Sequence, residues 1–172
     1  MRWFHSKPDG LSRNIISKLF QERDLKNNKR NEYPFGSQEY QLYDMQQNVI
    51  KVIMSTYYGV SGYSRFRLYD REIGSAVTSV GRAIIEHTRN TIENMGYSVI
   101  YGDTDSCMIQ IPATSLEETI TKAREIEAVL NESYNTFARE VLHAEKHYFS
   151  IKFEKVYRRF FQGGKKKRYA GN

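Results

Sequence analysis

Tyr97-Ser98-Val99-Ile100-Tyr101-Gly102-Asp103-Thr104-Asp105-Ser106-Cys107-Met108-Ile109-Gln110-Ile111 is the stretch on which the reading of this sequence turns. Its flanks, Tyr97–Ile100 and Cys107–Ile111, are short, apolar and β-branched, which predicts two strands. Gly102-Asp103-Thr104-Asp105 between them reads as a tight hairpin turn, because Gly and Asp tolerate turn geometry. Such a hairpin presents two carboxylates, one residue apart, at its tip. Fixed carboxylates are what hard divalent cations such as Mg²⁺ need. A two-metal site for phosphoryl transfer is the most economical use of the pair. A solvated turn in which Asp caps its own backbone is the plainer alternative, and the hairpin by itself does not choose.

The 172 residues can form one domain and bury a sizeable core. An apolar fraction of 40% and a charged fraction of 27% are those of a soluble protein. There is no run of 18 apolar residues, so no membrane partner is expected. Met1–Lys7 lacks the apolar stretch of a signal peptide. The single cysteine, Cys107, excludes an internal disulfide and suits a reducing cytoplasm. The expected location is therefore cytoplasmic, beside the nucleoid if the source is prokaryotic. His5, His87, His143 and His147 show no zinc spacing; His143 and His147 stand i, i+4 but read as surface residues. A net charge of +6 suggests a polyanionic partner. Between Lys152 and Arg168 lie eight basic residues against Glu154 alone, interleaved with Phe153, Tyr157, Phe160 and Phe161, a pattern that fits nucleic-acid contact or a solvated basic tail.

Working outward, Pro8-Asp9-Gly10 is a turn and Ser12 is placed to cap a helix carrying Leu11, Ile15, Leu19 and Phe20 on its apolar side. A polar loop ends at Pro34 and Gly36. A second helix is predicted from Ser37 to about Tyr57, with Leu42, Met45, Val49, Val52 and Ile53 inward. The two make an αα-hairpin. Lys51, Ser55 and Tyr58 share one face of the second helix, at i, i+4 and i+7, where they could meet phosphate, sugar and base or simply form its exposed side. Gly59 and Gly62 are expected to break it. Ile73, Val77, Val80, Ile84, Thr88, Ile92 and Met95 predict a long helix over 70–95, closed by Gly96 and packed beneath the hairpin strands. A further helix over 116–142 has Leu116, Ile120, Ala123, Ile126, Leu130, Tyr134, Phe137 and Val141 inward. Tyr148–Tyr157 alternates as a strand does, and Lys165–Tyr169 could be another short one. Helices on one face of a small antiparallel sheet make an α+β domain, with the helix pair projecting.

Three separate stretches resemble one family. Tyr101–Ser106, Tyr-Gly-Asp-Thr-Asp-Ser, resembles the palm motif C of family B DNA polymerases. Lys51-Val52-Ile53-Met54-Ser55-Thr56-Tyr57-Tyr58-Gly59 resembles their fingers motif B, usually K-x-x-x-N-S-x-Y-G. Lys166-Lys167-Arg168-Tyr169, preceded by Phe153–Tyr157, resembles their K-K-R-Y duplex-binding segment. Order and spacing agree over about Gly10 to Gly171. The resemblance implies an N-terminal lead-in at the palm edge over 1–10, a helical fingers hairpin over 11–59 and an antiparallel palm with packed helices over 60–172.

It also implies roles. Asp105 would be the principal ligand of both catalytic metals, Mg²⁺ with Mn²⁺ as a substitute. Asp103 would line the same catalytic site. Glu154 matches a further acidic position near the metals. Arg23 and Lys51 would meet the triphosphate of a deoxynucleotide. Ser55, Tyr58 and Gly59 would contact the nucleotide and nascent base pair. Lys166, Lys167, Arg168 and Tyr169 would hold phosphates of primer-template DNA, which positions DNA without reading sequence.

Two departures stand out. Ser55-Thr56 replaces the usual Asn-Ser, and Asn27 stands where a second basic residue is common. No D-x-x-S-L-Y-P-S-like motif A occurs before Leu11, and neither the exonuclease domain nor the thumb is represented. The expectation is a fragment or split subunit of a DNA polymerase, inactive until a polypeptide carrying the exonuclease domain and the motif A aspartate joins it. The alternatives are a non-catalytic DNA-binding remnant and, more distantly, a nuclease built on the same carboxylate turn.

Overall fold

The structure is a computed structural model and describes residues 10–103, 105–165 and 167–172, with Asp103 described in its backbone only. The chain falls into two compact units, residues 1–77 and 78–172. Its order is α1 (Leu11–Asn31), α2 (Gln38–Ser61), α3 (Arg71–Asn94), β1 (Ser98–Asp103), β2 (Ser106–Gln110), α4 (Leu116–Glu140), β3 (Phe160–Gln162) and β4 (Tyr169–Gly171). This is the expected α+β class, with β1–β2 and β3–β4 forming two separate antiparallel pairs.

The first unit is built on α1 against α2. Gly10, not Ser12, occupies the N-cap of α1. Ser12 is the second residue of the helix, where its hydroxyl meets Tyr57 Oη at 2.6 Å. Ser37, where the second helix was expected to begin, is its N-cap, its Oγ accepting the Tyr40 N–H at 3.1 Å. Gly59 does not break α2. The helix continues to Ser61, and Gly62 is its C-cap. The expected inward stripe of α2 is also corrected. Leu42, Met45, Val49, Val52 and Ile53 are 48–64% exposed, while Gln47 and Ile50 are the buried positions. The reason is polar pairing between the helices. Arg30 Nη1 reaches Asp44 Oδ1 at 2.8 Å and Arg23 Nε reaches Gln47 Oε1 at 3.2 Å. Arg30 also lies over the Tyr40 ring and Lys26 over the Tyr43 ring. These groups rotate α2 so that its polar side meets α1.

The second unit has the core the periodicity predicts. Ile92 of α3 and Ile126 and Leu130 of α4 are buried together, with Val99, Cys107 and Ile109 of the hairpin packed on them. Thr88 Oγ1 and Tyr134 Oη meet at 2.7 Å within it, so neither buried hydroxyl lacks a partner. Gly96 at φ 85° ends α3; its N–H bonds Glu93 O and the Tyr97 N–H bonds Ile92 O, the paired closure of a Schellman motif. The chain thus reverses directly into β1. Ser115 caps α4 through the Glu118 N–H, and Leu116, the first helical residue, stays exposed, as does Val141 beyond the last.

Residues 148–154 keep the alternation of a strand, which lapses over 155–157, and none of 148–157 joins a ladder among the described residues. Phe149, Ile151 and Phe153 are half-buried, and Tyr148, Ser150, Lys152 and Glu154 are exposed. The Asn131 amide brackets Ile151, donating to its C=O and accepting from its N–H, each at 3.0 Å. Glu127 accepts the Phe153 N–H at 3.2 Å. Side chains of α4 therefore take the place of a neighbouring strand on one edge.

Leu130→Ala should lower unfolding free energy by about 2–5 kcal/mol, whereas Val52→Ala should change it by less than about 0.5 kcal/mol; urea titration of both would reveal a wrong assignment of the buried face by the reverse ranking. His87 stacks on Phe137 at 4.5 Å and bonds Ser133 Oγ at 3.0 Å, and burial holds its pKa below the ordinary 6.5. The neutral ring is thus favoured by folding. Its contribution is present above about pH 6.5 and declines as pH falls through the lowered folded value. Unfolding curves at pH 7.5 and 5 should differ less in His87→Gln than in the unmodified chain.

Candidate active site

In β1–β2 the register pairs Asp103 with Ser106, Gly102 with Cys107 and Tyr101 with Met108. Asp105 sits exposed in the turn that follows β1. The side chain of Asp103, and Thr104 altogether, lie outside the described residues. Beneath the turn, Val99, Cys107 and Ile109 anchor the two strands on Ile92, Ile126 and Leu130. The turn backbone is therefore carried on a packed support. Burial raises the pKa of the Cys107 thiol, an inert, half-buried group rather than a nucleophile.

Asp105 and Ser106 stand among the residues lining a cleft of about 1100 Å³, which Cys107–Gln110 of β2 and Ile111 after it also line. Residues 150–158, including Glu154, line it too. The sequence-predicted Asp105 and Glu154 thus open onto one space. Among the described residues no three His, Cys, Asp or Glu side chains come together as a metal-binding group. Carboxylate oxygens are the right donors for a hard divalent ion, but the described set alone does not close around one. Two backbone edges border this cleft. Among the described residues β2 pairs only with β1. The backbone groups of Ser150, Lys152 and Glu154 make no hydrogen bond among the described residues.

Following the cleft-lining segment in the chain, β3 and β4 form a short hairpin in the register Phe160–Gly171, Phe161–Ala170 and Gln162–Tyr169. Tyr101, Phe160 and Tyr169 cluster with ring centroids 5.6–6.4 Å apart, and Tyr157 joins Phe160 at 5.9 Å. Gly171 is required where it is, because a Cβ there would fall 2.2 Å from the Tyr157 ring. Lys167 adopts φ 63°, a left-handed conformation uncommon for a lysine. Its N–H donates to Tyr101 Oη at 3.1 Å. The aromatic face of β1 therefore holds the basic turn. Lys167, Arg168 and Tyr169 are exposed on it; Lys166 lies outside the described residues.

The remaining predicted residues belong to the first unit. Lys51, Ser55 and Tyr58 are exposed on α2. The Ser55 hydroxyl bonds Lys51 O at 3.0 Å, so it is turned back on its own helix. Gly59 has open space where a Cβ would stand. Arg23 is half-buried and held at Nε by Gln47. Gln47, Asp44, Asn131 and Tyr101 were not singled out by the sequence; a polar residue inside a helical apolar run was the only available hint, and only for Gln47.

Residues 5–172 match the sequence profile of DNA polymerase family B. Among curated relatives, DNA polymerase 2 of Aeropyrum pernix is 33% identical over 168 residues, covering 98% of this chain and 18% of its own length. The DNA polymerase of Archaeoglobus fulgidus is 36% identical over 107 residues, covering 62% of this chain and 14% of its own. The DNA polymerase alpha catalytic subunit of Xenopus laevis is 37% identical over 95 residues, covering 55% of this chain and 6% of its own. The solved structure of the family B DNA polymerase from Pyrobaculum calidifontis superposes with a TM-score of 0.65 at 28% identity, over 98% of this chain and 19% of that one. The chain thus spans less than a fifth of the archaeal relatives it matches most fully.

Tyr101→Phe should leave the aromatic cluster in place and remove the acceptor for the Lys167 amide. Amide hydrogen exchange at Lys167 should accelerate by about fivefold or more, and an unchanged rate would show that the phenol does not hold the turn.

Proposed function

The chain belongs to DNA polymerase family B, and from that premise we propose that it supplies the fingers and the motif C part of the palm for template-directed deoxynucleotidyl transfer. In this reading residues 11–59 are the fingers hairpin and residues 60–172 the palm portion. The supporting observation is that Asp105, on a hairpin anchored in a packed core, opens onto the same cleft as Glu154.

The residues fit a divalent metal in kind but not in number. Asp103, Asp105 and Glu154 would contribute oxygens to Mg²⁺, or to Mn²⁺ in its place, and a further carboxylate would complete the set. A bound pair of ions would stabilise charge on the attacking and leaving oxygens of an in-line displacement. Lys51 and Arg23 would bind the triphosphate of the incoming deoxynucleotide and orient it. Tyr58 would pack against the nascent base pair, beside the unobstructed surface at Gly59. Ser55 offers less than the usual asparagine, because its hydroxyl is already bonded to Lys51 O. Lys166, Lys167, Arg168 and Tyr169 would grip duplex phosphates from the β3–β4 hairpin.

The cleft also supports a place for a further extended segment. Its borders are β2 and the edge of 150–154 on which the backbone groups of Ser150, Lys152 and Glu154 make no hydrogen bond among the described residues. Two extended backbone segments bordering one cleft suit an inserted extended segment. A segment carrying the motif A aspartate, from a polypeptide that also bears the exonuclease domain, would bring the further carboxylate to Asp105.

The second reading, a non-catalytic primer-template-binding remnant, draws on the inward-turned Ser55 hydroxyl. Primer extension with Mg²⁺ and four deoxynucleotides separates the two. The chain mixed with a polypeptide bearing the motif A segment should extend a primer, and Asp105→Ala should reduce the rate at least about a thousandfold. Duplex binding and complex formation without extension would establish the remnant reading instead, and robust extension by this chain alone would refute the need for a further carboxylate.

A further inference from the structure

The interface of α1 and α2 holds a polar chain that the proposed chemistry does not account for. Gln47 is only 5% exposed, a neutral side chain in a place where burial without partners is costly. Both ends of its amide are used. Oε1 accepts from Arg23 Nε at 3.2 Å, and Nε2 donates to Asp44 Oδ1 at 3.2 Å. Asp44 in turn receives Arg30 Nη1 at 2.8 Å and Asn48 Nδ2 at 3.1 Å. The Arg30 guanidinium first, then Gln47 and Asn48, hold the Asp44 carboxyl below its ordinary range.

This arrangement fixes the amide. A carboxylate only accepts, so the NH₂ end of Gln47 must face Asp44. The oxygen is then left for Arg23, whose Nε only donates. A flipped amide would set donor against donor at Arg23 and acceptor against acceptor at Asp44. The guanidinium of Arg23 is thus pinned through Nε, and its two Nη groups make no hydrogen bond among the described residues. Those two groups present the end-on fork that matches an oxyanion. The charge is preserved as well. Asp44 is neutralised by Arg30, and Gln47 passes on a hydrogen bond without passing on a negative charge.

From this geometry we infer that Gln47 is a positioning residue, which aims Arg23 end-on at an anionic phosphate while leaving its charge uncompensated. The inference rests on the nucleotide-binding reading of Arg23. It goes beyond that reading by assigning the orientation and the undiminished charge of Arg23 to a residue that never touches the ligand.

The test is a double-mutant cycle read by binding of dATP with Mg²⁺ to the full chain. Arg23→Met should weaken binding about tenfold or more, and Gln47→Met about three- to tenfold. The double variant should bind no more weakly than Arg23→Met. Losses that simply multiply in the double variant would overturn the inference, because Gln47 would then act by another route. Unchanged binding in Gln47→Met with a weakened Arg23→Met would also overturn it while leaving the Arg23 reading intact. No binding by the unmodified chain, or unchanged binding in Arg23→Met, would remove that reading and this inference together. Two controls guard against a variant that merely misfolds. In the unmodified chain the Arg23 Nε proton should exchange slowly by NMR, and fast exchange there would contradict the geometry. Gln47→Glu keeps an acceptor for Nε, so the proton should remain protected while dATP binding weakens; unchanged affinity in that variant would defeat the charge argument.

Discussion

The burial of Ile92, Ile126 and Leu130 against one another is what the carboxylate end of this protein depends on. α3 and α4 meet through these side chains, and the β1–β2 hairpin lies on them through Val99, Cys107 and Ile109. A two-stranded hairpin alone is marginal in water. Packed on two helices, it becomes a platform that carries Asp105 at its tip. The Schellman closure at Gly96 follows from the same constraint, since the chain must reverse at once from the end of α3 into β1.

The two units solve burial differently. In residues 78–172 apolar side chains form the centre, and polar groups such as Thr88 and Tyr134 are admitted in bonded pairs. In residues 1–77 the helix pair is joined through Arg23, Gln47, Asp44, Arg30 and the rings of Tyr40 and Tyr43. That leaves Leu42, Met45, Val49, Val52 and Ile53 facing outward. A polar interface holds the hairpin together at less apolar burial, and it keeps cationic side chains in fixed orientations.

Much of this was legible in residue order. The runs around Gly102–Asp105 are strands, the 3.6-residue periodicity in 70–95 and 116–142 is helical, and Ser37, Gly96 and Ser115 act at helix ends in the places their chemistry suggests. The α2 face was misread because periodicity shows that a stripe exists, not which side a partner will cover. Arg30–Asp44 and Arg23–Gln47 decide that, and they join residues 14 and 24 positions apart. The segment 148–154 alternates as a strand does yet has no ladder partner among the described residues. Alternation reports a half-buried extended chain, and here Asn131 and Glu127 supply the bonds that a neighbouring strand would otherwise make. At the candidate site, Asp105 was read from the hairpin pattern and Glu154 from the family resemblance, and the structure adds that both line one cleft. The roles of Tyr101 and Gln47 could not be read from residue order, because each depends on tertiary partners far along the chain.

The central claim is that the cleft between β2 and residues 150–158 is an incomplete sheet awaiting an extended segment beside Asp105. Backbone hydrogen exchange across 150–154 tests it directly, with and without a peptide of the D-x-x-S-L-Y-P-S pattern. The account predicts that the amides of Lys152 and Glu154 exchange freely in the chain alone and gain protection of about tenfold or more when the peptide binds. Protection appearing elsewhere while these two amides stay fully exchangeable would contradict it.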